Sequence, residues 1–96
     1  MDANLEKWMQ RYQNEEDGEA LQHLMETCWP VVEPLILDLA KNKDTETETL
    51  LRQKGMERFP FIISKYQLDV QLPIETFLRN TYRFYFRQVL KGEGKI

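Results

Sequence analysis

The chain has 96 residues, 42% hydrophobic and 30% charged, with a formal net charge of −3, a length that supports one domain with a modest core, taken here as 1–96. A single cysteine, Cys28, excludes an internal disulfide, and with His23 the only histidine a Cys/His zinc site is excluded as well. There is no apolar run near the ~20 residues of a membrane-spanning helix, and Met1-Asp2-Ala3-Asn4-Leu5-Glu6-Lys7 lacks the basic-then-apolar pattern of a secretory leader, so a cytoplasmic protein with no membrane partner is expected.

Apolar residues recur at spacings of three and four, and strict alternation is absent, which predicts an all-α bundle of four to five helices. A first helix is expected over Asn4 to Asn14, with Leu5, Trp8, Met9 and Tyr12 on one face. After the acidic break Glu15-Glu16-Asp17-Gly18, Asp17 or Gly18 is placed to cap a helix carrying Ala20, Leu21, Leu24, Met25 and Cys28. Pro30 either opens a third helix, with the stripe Val31, Val32, Leu35, Ile36 and Leu39, or kinks the second. The polar stretch Asn42 to Glu48 leads to a cap, for which Thr45, Thr47 and Thr49 are the candidates. The next helix covers about Glu48 to Tyr66, with a kink expected near Glu57 because Pro60 removes a backbone bond. The last helix runs from about Pro73 past Leu90, and residues 91–96 read as a frayed tail. Leu51, Phe59, Ile62, Ile63, Phe77, Leu78 and Tyr82 are the expected core where these last two helices pack.

Charge is divided along the chain. Residues 1–50 hold twelve acidic and four basic side chains, a balance of −8, whereas residues 51–96 hold four acidic and nine basic, a balance of +5. A basic half suits a surface that meets nucleic acid; two solvated halves of opposite sign are the plain alternative. Within the basic half, Arg79, Arg83, Arg87 and Lys91 are four apart and form one line on a helix, since four residues advance about 400°. Such a line matches phosphates along a strand, or it is a solvated face. Phe84 lies off the apolar stripe of Phe77, Leu78, Tyr82, Tyr85, Phe86 and Val89, where it can stack on a base or pack against a neighbouring helix. His23 has no partner pattern around it, and Cys28 on an apolar stripe reads as inert. No catalytic set, phosphate-cradling glycine loop, calcium-loop spacing or cofactor motif is present, so the chain is not expected to be an enzyme, to use a cofactor or to bind a metal.

The order of segments carries more than any one of them. Leu50-Leu51-Arg52-Gln53-Lys54-Gly55 is followed by Ile62-Ile63-Ser64-Lys65-Tyr66, a polar spacer, Thr76-Phe77-Leu78 and Tyr82-Arg83. This series resembles the second region of bacterial sigma factors, with Gln53, Gly55, Ile63, Lys65, Tyr66, Phe77, Leu78 and Arg83 at matching spacings. Upstream, Tyr12 to Leu21 and Trp29-Pro30-Val31-Val32 extend the likeness to roughly residues 8–90. The resemblance implies docking on the largest subunit of core RNA polymerase through Arg52, Gln53, Glu57 and Arg58. It also implies promoter DNA as a partner of the last helix, through Arg79, Arg83, Phe84, Arg87 and Lys91. The chain departs from the family at the acidic positions, here Leu50 and Lys54, with Glu48 and Glu57 as possible replacements. It departs again at the paired tryptophans, here Asn80 and Thr81, and at the base-reading Gln and Thr, here Phe84 and Arg87. The likeness is therefore to a sigma body with a rewritten DNA face. It is similar to the small co-sigma subunit of a split sigma factor, whose downstream domain comes from a second sigma-like polypeptide. The other function expected from the same residues is a sigma mimic or anti-sigma-like regulator that binds polymerase, or a partner sigma protein, without opening DNA.

Overall fold

A computed structural model describes residues 3–96. Among them the chain forms four α-helices and no strand: α1 Ala3–Glu15, α2 Gly18–Leu39, α3 Thr45–Ser64 and α4 Ile74–Gly92. The expected all-α bundle is the observed one. α2 is the central element and packs against each of the other three; α3 also touches α1 and α4. Buried residues of all four helices join in one core, including Met9, Leu24, Val32, Ile36, Leu51, Phe59, Ile63, Leu78, Tyr82 and Phe86.

Two of the sequence-derived boundaries change. α2 runs unbroken through Pro30 and Pro34, so no third helix begins at Pro30; α3 continues through Pro60 as expected but begins at Thr45 rather than near Glu48. Each proline removes an N–H that would bond the carbonyl four residues earlier. Those carbonyls belong to Glu26, Pro30 and Met56, all exposed residues at which water can supply the lost donor. The cap of α3 is Asp44, not one of the threonines: its carboxylate accepts from the Thr47 N–H at 2.8 Å and from the Thr47 hydroxyl at 2.5 Å. A carboxylate at the positive end of the helix is the stronger acceptor, and it leaves Thr47 buried and satisfied. Asp17 caps α2 as expected, accepting from the Ala20 N–H at 3.0 Å. The reversal between α1 and α2 is made by Glu16 in the left-handed region, φ 52°.

The last residues, read from the sequence as a frayed tail, close in an ordered turn. Gly94, with φ 70°, donates to the Lys91 carbonyl at 3.1 Å, and Lys95 donates to the Leu90 carbonyl at 2.8 Å. This pair of bonds is a Schellman motif with glycine at its left-handed position. The Lys95 ammonium then reaches Asp44 at 3.8 Å, joining the end of α4 to the start of α3. At the other end of α3, Gln13 of α1 donates to the carbonyls of Ile63 at 3.1 Å and Tyr66 at 2.6 Å.

The core of α4 is centred on Ile74, Leu78, Tyr82, Phe86 and Leu90, one residue every fourth position. Phe77, expected in the core, is only half-buried, as are Tyr85 and Val89, because each lies to the side of that line. Phe77 instead closes over the Tyr66 ring, with centroids 5.1 Å apart. The other six expected core residues are buried.

Three carboxylates that hold elements together sit below their ordinary pKa. Asp17 is lowered by the Ala20 amide and then by Arg11, Glu33 by Arg52 and then Trp29, and Asp44 by the Thr47 hydroxyl and amide. A carboxyl whose pKa is lower folded than unfolded stabilises the fold above its unfolded pKa and loses that contribution as pH falls through the folded value. The urea midpoint is therefore expected to fall as pH drops from about 6 to about 3. Asp17→Asn, Glu33→Gln and Asp44→Asn combined should flatten that fall, and an equally steep fall in the triple variant would contradict the assignment.

Candidate functional site

The residues expected to form one polymerase-facing patch are divided among three directions. Successive helical positions are about 100° apart, so Arg52 and Arg58 fall on opposite flanks of α3 with Gln53 and Glu57 between them. Arg52 turns toward α2. It is half-buried, forms a bidentate ion pair with Glu33 and lies 3.7 Å from Glu48. Glu33 also accepts from the Trp29 indole N–H at 2.9 Å. Arg52 and Glu48 are thus committed to holding α2 against α3. Gln53 and Glu57 occupy the solvent face, joined by a 3.1 Å hydrogen bond from the Gln53 amide to the Glu57 carboxylate. Arg58 turns toward α4, with its guanidinium 3.9 Å from the Phe61 ring centroid and 5.5 Å from that of Tyr85.

The basic row is kept together. Arg79, Arg83, Arg87 and Lys91 are all exposed along one side of α4, with Glu75 at the N-terminal end of the same line. None of the four cations has a carboxylate or hydrogen-bond partner among the described residues. Phe84 is 67% exposed, the most open of the phenylalanines among the described residues. Beside the basic row, it lines a groove of about 330 Å³ together with Arg58, Phe61, Ile62, Thr81, Tyr85 and Gln88. Asn80 is exposed, and Thr81 is half-buried on the groove side.

Phe61 is the member of this surface that the sequence reasoning missed. It is 47% exposed and lies under two cations, Arg58 and Lys65, the latter with its ammonium 5.1 Å from the ring. The signal was present: Phe61 is three residues after Arg58 and four before Lys65, so all three share a helix face. The sequence reading placed its neighbours Phe59, Ile62 and Ile63 in the core and gave Phe61 no role.

Gly55, part of the motif that carried the family resemblance, has a packing role. A Cβ at this position would lie 2.9 Å from Phe86 Cζ and 3.0 Å from Trp29 Cη2. The Tyr82 hydroxyl donates to the Gly55 carbonyl at 2.8 Å. Burial raises the pKa of the Tyr82 phenol, with smaller effects from Tyr85 and Cys28, so Tyr82 stays a donor. Cys28 is buried, and its thiol is pushed up to about 11 by that burial and then by Glu75, which keeps it protonated and unreactive. His23 is half-buried, stacked on Trp8 with centroids 4.1 Å apart and 3.9 Å from Glu19. Among the described residues no group of three His, Cys, Asp or Glu side chains is placed to hold a metal ion, and no helix is long and apolar enough to cross a membrane.

Fold and surface together define a small all-α bundle with a cationic and aromatic face on α3 and α4. Comparison with protein-family models, with curated proteins and with solved structures finds no match.

Proposed function

We propose that the chain is a non-enzymatic transcription initiation factor or co-sigma subunit of the bacterial cytoplasm. In this reading it binds the largest subunit of core RNA polymerase and contacts the promoter minus-ten region, with a second sigma-like polypeptide supplying the downstream domain. The observation that carries it is the row Arg79, Arg83, Arg87 and Lys91, four exposed cations one turn apart and unpaired among the described residues, beside the exposed Phe84. Like charges at this spacing cost a helix a few tenths of a kcal/mol per pair, a cost that a row of phosphates removes. Gln53, at a spacing that resembles the family's, and Glu57, a replacement for the missing family acids, remain open to solvent for a polymerase contact. With Arg52 held by Glu33, that contact narrows to Gln53 and Glu57, with Arg58 at its edge.

The alternative is a sigma mimic or anti-sigma-like regulator. It is favoured by the residues Leu50, Lys54, Asn80 and Thr81, which stand where the family carries its polymerase-gripping acids and its DNA-wedging tryptophans.

Gln53→Ala combined with Glu57→Lys is expected to weaken co-purification with core polymerase by about tenfold or more, as for loss of a central contact. Both side chains are exposed, so stability should move by less than about 0.5 kcal/mol. Unchanged co-purification would overturn polymerase docking through this ridge. Permanganate footprinting of a promoter then separates the two readings. Opening that depends on this protein supports an initiation factor; polymerase binding with no change in opening supports the mimic.

A further inference from the structure

The cleft between α3 and α4 holds Phe61 and Phe84, two rings left 47% and 67% exposed, above a floor that includes the buried Ile62 and the half-buried Tyr85. Leaving two large rings in water forgoes stabilisation that a covering surface would supply. Two cations stand at the rim. Arg58 lies over Phe61, its guanidinium carbon 3.9 Å from the ring centroid, and Lys65 approaches the same ring from the next turn. Neither has a carboxylate partner among the described residues, whereas Arg11, Arg52 and Lys95 each have one. The acid next in sequence, Glu57, is engaged with Gln53 on the solvent face. Laying a guanidinium on an aromatic face leaves its N–H edge free to bind a carboxylate.

The geometry points to an acidic amphipathic α-helix of a protein partner as the occupant of this groove, with an apolar side chain seated between Phe61 and Phe84 and a carboxylate on Arg58. The occupant is a helix because both walls are helices whose backbone groups are spent on their own ladders. An extended peptide would press unpaired N–H and C=O groups against an apolar wall, while a helix satisfies them internally. The walls present side chains at helical spacing, Arg58 and Phe61 on one side and Thr81, Phe84 and Gln88 on the other, which makes ridges that a third helix can enter. The occupant is acidic because the unpaired rim charges are positive. A nucleic-acid strand is better served by the row Arg79 to Lys91, whose charges are spaced one turn apart outside the groove. This site does not depend on the polymerase reading.

The test is an NMR titration of the full chain with three probes. The first is a capped synthetic helix of about five turns, with leucines along one face and glutamates flanking them. The second is the same peptide with lysine for glutamate, and the third is a single-stranded DNA oligonucleotide. The acidic peptide is expected to give saturable shifts at Ile62, Thr81 and Phe84, and the lysine peptide none. Arg58→Ala and Phe84→Ala should each weaken the acidic peptide by about tenfold, the ratio that corresponds to roughly 1.4 kcal/mol. Amide shifts outside the groove should stay unchanged in both variants, which verifies that they fold. Four results would each overturn the proposal. These are no saturable shift in the groove, equal binding of the lysine peptide, peptide shifts centred on Arg79, Arg83 and Arg87, and oligonucleotide shifts at Phe61 and Ile62 as large as the peptide's, since a base stacked on Phe84 alone does not reach the α3 wall.

Discussion

Phe86→Ala should lower the unfolding free energy by roughly 3–5 kcal/mol, the range for removing a large ring from a packed core. The Phe86 ring is wholly buried, tilted against Tyr82 with centroids 5.2 Å apart and against Tyr85 at 5.9 Å. It fills the space left by the missing side chain of Gly55, where α3 crosses α4. Domains of this size are stable by only about 5–15 kcal/mol, so this one truncation removes much of the total. Phe77, half-buried at the edge of the same helix, should cost clearly less when truncated. The converse change, Gly55→Ala, gains up to about 1 kcal/mol of helix propensity. It also drives a methyl to within 2.9 Å of Phe86 and 3.0 Å of Trp29. Overpacking of a locked core costs about 1–3 kcal/mol, so the net change should be destabilising. Phe86→Leu added to Gly55→Ala should cost less than the sum of the two single changes, because the smaller Leu relieves the clash with the Ala methyl and the methyl fills part of the space the ring leaves. Urea denaturation of the four proteins tests this. A Phe86→Ala cost below about 1 kcal/mol would show that the ring is not packed as described.

Arg83→Ala with Arg87→Ala is expected to make DNA binding by the assembled polymerase complex much less sensitive to salt. Each phosphate contact contributes about 0.9 to the slope of log K against log salt on duplex and about 0.7 on single strands. Losing two contacts should flatten the slope by about 1.4–1.8. Both side chains are exposed and unpaired among the described residues, so no fold contact is lost with them. Phe84→Ala should behave differently. A stacking ring is worth about 1–3 kcal/mol per base and carries no charge, so affinity for melted template should fall with the slope unchanged. Identical slopes in wild type and double variant would remove the DNA-facing role from α4 and favour the mimic or regulator.

Helix content, most of the buried positions and the Asp17 cap were legible because each is written within one segment. A period of three and four marks a buried face without reference to any other helix, and a cap needs only the next three residues. The exposed row Arg79, Arg83, Arg87 and Lys91 was legible for the same reason. What the sequence left undetermined is which flank of each helix meets which neighbour. Arg52 and Arg58 looked like one patch, yet Arg52 pairs with Glu33, nineteen residues away, and Arg58 lies over Phe61 and Tyr85. Gln13 caps carbonyls of α3 from fifty residues away. Pro30 was read as a helix start or a kink because the local rule counts the missing donor. Only the packing of α2 decided that the freed carbonyls fall on its solvent side, where water meets the need. Periodicity is a property of one helix, whereas pairing across helices depends on their crossing and rotation, which the whole core decides together.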